Sequence, residues 1–444
     1  MNAKVIIIAM MLVLPLSIMQ AEAQEAYEFD ANGIKVILRP VNVETVGVQL
    51  FFDGGVTAQN ETTQGIDTFL LLASLRGSEK YPKEKLISEV TRMGTGIGAD
   101  SYYDYTTAYM HCVRKNFDAS WDIFVDVLLN PLLEEKEVEI VRSQLISFAR
   151  QKRDSPENYV VDLANSLLYE GHPYALDPMG TEDSLKNITI KQLREHNKEL
   201  ITKSRMLLVV VGDFSRDEVE RYASAFGSLP EGGEEKGLIS RLKDRVGQTC
   251  SRLMPERKPE TAPEERFSYV ALEIPNTYVR GVFLAPGMNE KGYYSACIAT
   301  DILSDTLWEE VRTKRNMAYS VGSGLSSRRD NYGLISVTTN TPDAALEVIS
   351  AEISKMSQEK LSDERIEEAV NGYITRFYLS NEDTLSQAYQ LGLWELNGGG
   401  WEKNFEFVEN LRSVTPEDVM DFCSTYVKGI SMGAVGGQSV SVRL

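Results

Sequence analysis

Histidine is nearly missing from this chain: its 444 residues include three, His111, His172 and His196. None has a second His, Cys or Glu at helical ligand spacing that suggests a site, so the histidines outline no zinc site. Cysteine is almost as scarce. Cys112, Cys250, Cys297 and Cys423 stand singly, and without a Cys-x-x-Cys pair a zinc ribbon or a thioredoxin-like redox site is disfavoured. Positive charge is in deficit, with 46 Lys and Arg against 65 Asp and Glu, a net charge of −19. Such a surface repels nucleic acid and anionic membranes and suits solubility and cationic peptides. After Ala23 no apolar run approaches the ~20 residues that a membrane span needs.

What is present begins with Met1-Asn2-Ala3-Lys4, an apolar run from Val5 to about Met19, and Ala21-Glu22-Ala23. A basic start, an apolar core and an Ala-x-Ala site are the layout of a secretory signal peptide. The expectation is cleavage near Ala23 and an exported, periplasmic or secreted protein without membrane insertion. Export permits a disulfide, but the spacing selects no pairing, and buried free thiols are an equal alternative.

Hydrophobic residues make up 43% of the chain and charged residues 25%, a globular composition long enough for two domains. Runs at 32–41 and 46–55 read as paired strands across a polar turn. Helical periodicity follows at 83–93, 120–133, 134–152 and 157–168, and Leu207 to Val211 is a compact apolar strand. A Pro-, Gly- and charge-rich stretch marks a linker at 236–265, dividing a domain at 24–235 from one at 266–444. The second half repeats the order of the first. Paired strands at 267–286, a helix at 301–314 and strands at 319–327 and 332–339 precede helices at 343–360, 362–378 and 383–396. Thr189 and Thr415 each suit a helix N-cap ahead of an apolar strand, and Ser155-Pro-Glu is echoed by Ser380-Asn-Glu. The pattern predicts an α+β protein of two homologous domains. Each is a mostly antiparallel sheet with helices packed on it.

Several stretches carry a resemblance in order and spacing: Asn32-Gly-Ile-Lys-Val-Ile-Leu, Gly54-Gly55, Gly65-Ile66, His172-Pro-Tyr with Gly180-Thr-Glu-Asp-Ser-Leu, Met206-Leu-Leu-Val-Val-Val-Gly-Asp, and Arg312-Thr-Lys-Arg-Asn-Met-Ala-Tyr-Ser-Val. Over the mature chain it resembles the pitrilysin, insulysin and mitochondrial processing peptidase family, the inverted zincins. That resemblance implies half of a closed clam shell. In active members a helix carries His-x-x-Glu-His, with two His and a distant Glu on zinc and the first Glu activating water. The matching positions here are Thr68, Phe69, Leu70, Leu71 and Leu72. The distant ligand falls on Phe148 by counting back from Asp154-Ser-Pro, or on Gln144 by matching Val-x-x-Glu. Neither supplies a carboxylate.

The resemblance also implies a second set of groups. An Arg and a Tyr seven residues apart, here Arg312 and Tyr319, face the zinc of active relatives and can donate to a peptide oxyanion. The structural alternative is an Arg favoured at a helix C-terminus and a Tyr favoured in a strand. The leading expectation is a non-catalytic, substrate-binding subunit of a zinc metallopeptidase. It holds no metal, supplies Arg312 and Tyr319 in trans to a zinc-bearing paralogous partner, and binds peptide along a sheet edge. The alternative is a peptide-binding or scaffold protein on a degenerate peptidase shell, and a homodimer stays open.

Overall fold

The computed structural model describes residues 26–232 and 266–444. The expected signal peptide, the linker at 236–265 and Cys250 lie outside the described residues. In chain order the first half contains β1 (Tyr27–Ala31), β2 (Ile34–Pro40), β3 (Thr45–Asp53), α1 (Ile66–Ser74), α2 (Lys83–Met93), β4 (Gly96–Ser101), β5 (Tyr105–Val113), α3 (Phe117–Leu129), α4 (Glu135–Asp154), α5 (Pro156–Leu168), α6 (Glu182–Asn187), α7 (Ile190–Leu200), β6 (Met206–Gly212) and α8 (Arg216–Ala223). The second half contains β7 (Phe267–Ala271), β8 (Thr277–Leu284), α9 (Tyr293–Leu307), β9 (Ser320–Leu325), β10 (Tyr332–Thr339), α10 (Pro342–Gln358), α11 (Asp363–Ser380), α12 (Thr384–Asn397), α13 (Lys403–Arg412), α14 (Pro416–Tyr426) and β11 (Ser431–Gly436).

The strands form two sheets, ordered β1-β2-β6-β3-β5-β4 and β7-β11-β8-β10-β9. This corrects the expectation of direct strand pairs at 32–55 and 267–286. Strand β6 lies between β2 and β3, parallel to the first and antiparallel to the second. Strand β11 intervenes between β7 and β8 in the same senses. The reason is burial: every residue of β6 and of β11 is buried, and a strand covered on both faces belongs in a sheet interior. Both halves therefore share one α+β topology, to which the first adds β1.

Local sequence explains the helix starts. Thr189 and Thr415 form capping boxes with Gln192 and Asp418, so two otherwise unpaired amide donors are satisfied at each helix entry. Ser155 accepts from the Asn158 amide and turns the chain from α4 into α5.

One face of the first sheet, including Val36, Val48, Leu50, Phe52 and Leu208, packs on the apolar faces of α1 and α3. Its other face, including Ile37, Phe51, Leu207 and Val209, belongs to a core shared with the second half. Helix α12 from the second half lies across β3 and β6. Gly47 permits that approach, because a Cβ there would stand 2.4 Å from the Thr384 carbonyl and the Leu385 amide nitrogen. Reciprocally, α5 of the first half packs on β8 and β11. Gly433 faces it, with a Cβ position 3.1 Å from the Ala164 nitrogen. Each half thus lends a helix to the sheet of the other, and the two cores are built together.

Candidate functional site

Helix α1 starts at Gly65, whose φ of +86° favours glycine. A Cβ on Gly65 would lie 2.5 Å from the Gly180 Cα, so the two glycines let these turns touch. Thr68 is buried and donates its hydroxyl to the Pro178 carbonyl at 2.7 Å. Phe69, Leu70 and Leu71 are buried in the core, and Leu72 is half-buried. Asp67, also buried, accepts from the Thr106 hydroxyl at 2.7 Å and lies 2.5 Å from Nε2 of His196. The sequence marks His196 only as a histidine outside any zinc-ligand pattern. Its tie to Asp67 spans 129 positions, so no local pattern announces it.

Helix α4 packs beside α1 and carries the distant position in either registration. Gln144 and Phe148 lie on the same open face of α4, with Lys136, Ile140, Ser147 and Gln151. Phe148 is 50% exposed, an apolar ring facing solvent. Zinc takes about three N, O or S donors. Thr68, Leu71, Leu72 and Phe148 do not fit that requirement: three are hydrocarbon, and the Thr68 hydroxyl is committed to a carbonyl. Among the described residues no group of three His, Cys, Asp or Glu is arranged to hold a metal ion.

The other histidines have structural tasks. His172 accepts from the Tyr174 amide through Nδ1 at 3.1 Å, and its Nε2 lies 3.1 Å from an Asp330 carboxylate oxygen in the second half. The His111 ring lies over Gly96 of the neighbouring strand, where a Cβ would be 2.1 Å from the ring Cε1.

Arg312 and Tyr319 stand at the two ends of the connection from α9 to β9. Here α9 runs into a wide π-helical turn at Trp308–Thr313, where sequence reading expected the last turn of an ordinary helix. Glu310 anchors the turn by accepting from Lys314 at 2.6 Å and Arg315 at 2.5 Å. Hydrogen bonds from Lys314, then Arg315, hold its carboxyl down at about 2. Asn316 then reverses the chain in the left-handed region, at φ +52°. The Tyr319 amide donates to the Thr338 carbonyl at 2.9 Å, joining the β9–β10 ladder.

Val311 and Ala318 anchor this connection in the core, while Trp308 and Tyr319 face outward. The Arg312 guanidinium carbon lies 3.9 Å above the Trp308 ring, a cation–π stack that orders the arginine without using its N–H donors. Trp308 is 45% exposed and Tyr319 79% exposed. Among the described residues, neither the Arg312 guanidinium nor the Tyr319 hydroxyl has a hydrogen-bond or ion-pair partner. Both can donate to a carbonyl oxygen or carboxylate brought to this surface. Sequence reasoning missed Trp308; the signal was its place four residues, one helical turn, before Arg312.

Two homologous α+β halves of this topology define a peptidase-like fold, in which Thr68, Leu71, Leu72 and Phe148 offer no zinc ligand set. The family description "Insulinase (Peptidase family M16)" matches residues 35–182, and "Peptidase M16 inactive domain" matches residues 187–373. The chain belongs to this insulinase family. It is 21% identical over 397 residues to an uncharacterized zinc protease of Bacillus subtilis, covering 87% of this chain and 92% of that one. It is 23% identical over 409 residues to one of Mycobacterium bovis, covering 87% of each. Over 209 residues it is 26% identical to mitochondrial-processing peptidase subunit beta of Caenorhabditis elegans, covering 47% of this chain and 46% of that one. In structure it is similar to a peptidase M16 inactive domain from Pseudomonas fluorescens, with TM-score 0.80 and 17% identity, covering 94% of this chain and 99% of that one. It is also similar to a protease from Helicobacter pylori, with TM-score 0.81 and 16% identity, covering 93% and 98%. At these identities the structural likeness is one of fold.

Proposed function

We propose that this chain is the exported, non-catalytic, substrate-binding subunit of a heterodimeric zinc metallopeptidase. Zinc and the water-activating carboxylate would belong to a paralogous partner carrying His-x-x-Glu-His. This chain would supply Arg312 and Tyr319 across the interface, as donors to the carbonyl oxygen of the peptide bond under attack. One observation carries the reading: Thr68, Leu71 and Leu72 are given over to packing, while half-buried Arg312 and exposed Tyr319 keep their side-chain donors free among the described residues. Peptide would extend along β4, one of the two edge strands of the first sheet, whose backbone offers the N–H and C=O groups an added strand needs.

The test is reconstitution with a partner that carries the zinc motif. The chain alone should neither bind stoichiometric zinc nor cleave peptides, and the pair should cleave. Removing one oxyanion donor by Arg312→Ala or Tyr319→Phe should lower turnover about 100-fold. Full activity of both variants in a verified complex rejects the assignment.

A second reading, a peptide-binding or scaffold protein on the same shell, draws on the open face of α4 that displays Phe148. It predicts tight peptide binding by the isolated chain, with no gain in hydrolysis from any zinc-bearing partner.

A further inference from the structure

The β9–β10 hairpin that begins beside Tyr319 ends in a turn at 326–331, and this tip is built into the first half of the molecule. Three bonds from Arg329 cross to other elements. Its Nη2 donates to Asp53 Oδ1 at 2.7 Å, its backbone N–H to Asp104 Oδ2 at 3.1 Å, and its Nε to the Leu396 carbonyl at 3.4 Å. Both carboxylates are buried, Asp53 at the end of β3 and Asp104 in the turn between β4 and β5. Asp104 also accepts from the Tyr174 hydroxyl and, at 3.3 Å, from Asn397 at the end of α12. One buried carboxylate therefore ties the β4–β5 tip of the first half to the β9–β10 tip of the second.

Neighbouring groups restrict the tip further. The Arg328 guanidinium carbon sits 3.4 Å from the Tyr103 ring centroid and 4.9 Å from that of Tyr332. Asn331 is buried and donates to the Pro286 carbonyl at 2.9 Å. The Tyr169 hydroxyl donates to the Asp330 carbonyl at 2.6 Å. From this tip, β9 is a short strand of about 20 Å leading back to Tyr319. Because β10 is also paired with β8, the hairpin moves with the second sheet, and a shift of that sheet about the tip would move Tyr319, and through the Asn316 turn Arg312, relative to α1 and α4.

We infer that Arg329 is a positioning residue: its guanidinium, bound to Asp53 and the Leu396 carbonyl beside the backbone bond to Asp104, pins the hairpin tip and sets where Arg312 and Tyr319 stand relative to the first half. The guanidinium is suited to this because its planar fork donates in two directions at once, whereas a lysine ammonium is a single point charge on a flexible stem. The inference about geometry stands on the isolated chain; its consequence for turnover rests on the function proposed above.

The test therefore has two arms. In the first, spin labels at Ser147→Cys on α4 and Ser320→Cys at the start of β9 report the distance between the halves in the full-length chain, in a Cys250→Ser background. Arg329→Gln should broaden that distribution, Arg329→Lys should recover it in part, and Asp53→Asn should broaden it too, giving a second variant if Arg329→Gln fails to fold. An unchanged distribution in folded Arg329→Gln, or in folded Asp53→Asn where Arg329→Gln does not fold, overturns the inference. In the second arm, the complex with a zinc-bearing partner should lose about tenfold in kcat on Arg329→Gln with KM nearly unchanged, a loss that Arg329→Lys partly restores. Broadened distances in a chain that no partner activates would uphold the positioning and reject the proposed function. A fall in kcat with unaltered distances would reject the positioning and leave the proposed function standing.

Discussion

Arg312 and Trp308 lie on consecutive turns, with the guanidinium carbon 3.9 Å from the indole ring centroid. The stack holds the arginine over a half-exposed aromatic face while leaving its N–H groups available, which a salt bridge to a neighbouring carboxylate would not. Trp308→Ala should cost the isolated chain no more than about 1 kcal/mol, the size of an exposed cation–π contact. In the complex it should lower turnover several-fold by letting Arg312 wander. Thermal unfolding and steady-state kinetics on one preparation decide this; a variant with wild-type kinetics contradicts an ordering role for the ring.

Glu310 gives the same turn a pH dependence. Its carboxyl is held down at about 2 by hydrogen bonds from Lys314 and Arg315. A depressed carboxyl stabilises the fold fully above the ordinary carboxylate range and progressively less as pH falls toward about 2. Amide exchange at Lys314 to Met317 should therefore accelerate between about pH 4.5 and pH 2 beyond the intrinsic trend. Glu310→Gln should remove that acceleration. Identical profiles for variant and parent would show that the pair does not hold the turn.

The helix exchange makes its own demand on stability. Gly47→Ala would drive a methyl group into the Thr384–Leu385 backbone of α12, 2.4 Å away. Overpacking of this kind costs about 1–3 kcal/mol. Urea unfolding should also stay a single transition, because the two halves share a core. Two resolved transitions in the parent protein would contradict that shared core.

Restoring an acid at Leu71 tests how far α1 has become a packing element. Leu71 is 1% exposed, so Leu71→Glu would place a carboxylate among hydrocarbon and cost about 3 kcal/mol or more at neutral pH. Burial would raise the new carboxyl above its unfolded value. The penalty should therefore be smallest below the ordinary carboxylate range and grow as pH rises through the folded value. An unfolding midpoint equal to the parent's at pH 7 would mean that α1 readily accommodates the charge.

Burial also makes the thiols inert. It pushes Cys297 and Cys423 up to about 12 and Cys112 to about 11. All three are free and buried. In a Cys250→Ser background no thiol should react quickly with an aromatic disulfide at pH 8 until denaturant is added. A fast equivalent in the folded protein would contradict the burial of one of them.

What could be read from the sequence was local. The caps at Ser155, Thr189 and Thr415 announce their helices because each bond closes within three residues. The β9–β10 hairpin is equally local, and the internal repeat was visible as a repeated order of such signals. Hidden were the arrangements made by distant partners: β6 entering between β2 and β3, α12 crossing onto the first sheet, and Arg329 reaching Asp53 across 276 positions. Apolar periodicity says that a face is covered, not which helix covers it. At the candidate site, residue type alone makes Thr68, Leu71 and Leu72 poor metal ligands, and Arg312 and Tyr319 are singled out by family resemblance alone. The place of Arg312 on a π-helical turn, over Trp308, needed the structure.

The most direct test of the account combines this chain with a paralogous chain that carries His-x-x-Glu-His and compares peptide cleavage by the wild-type complex with that of Arg312→Ala, matched for zinc content and assembly. The account predicts a complex that cleaves only when both chains are present, with kcat falling about 100-fold in the variant. Equal cleavage by variant and wild type, or cleavage by the partner alone at the full rate, would contradict it.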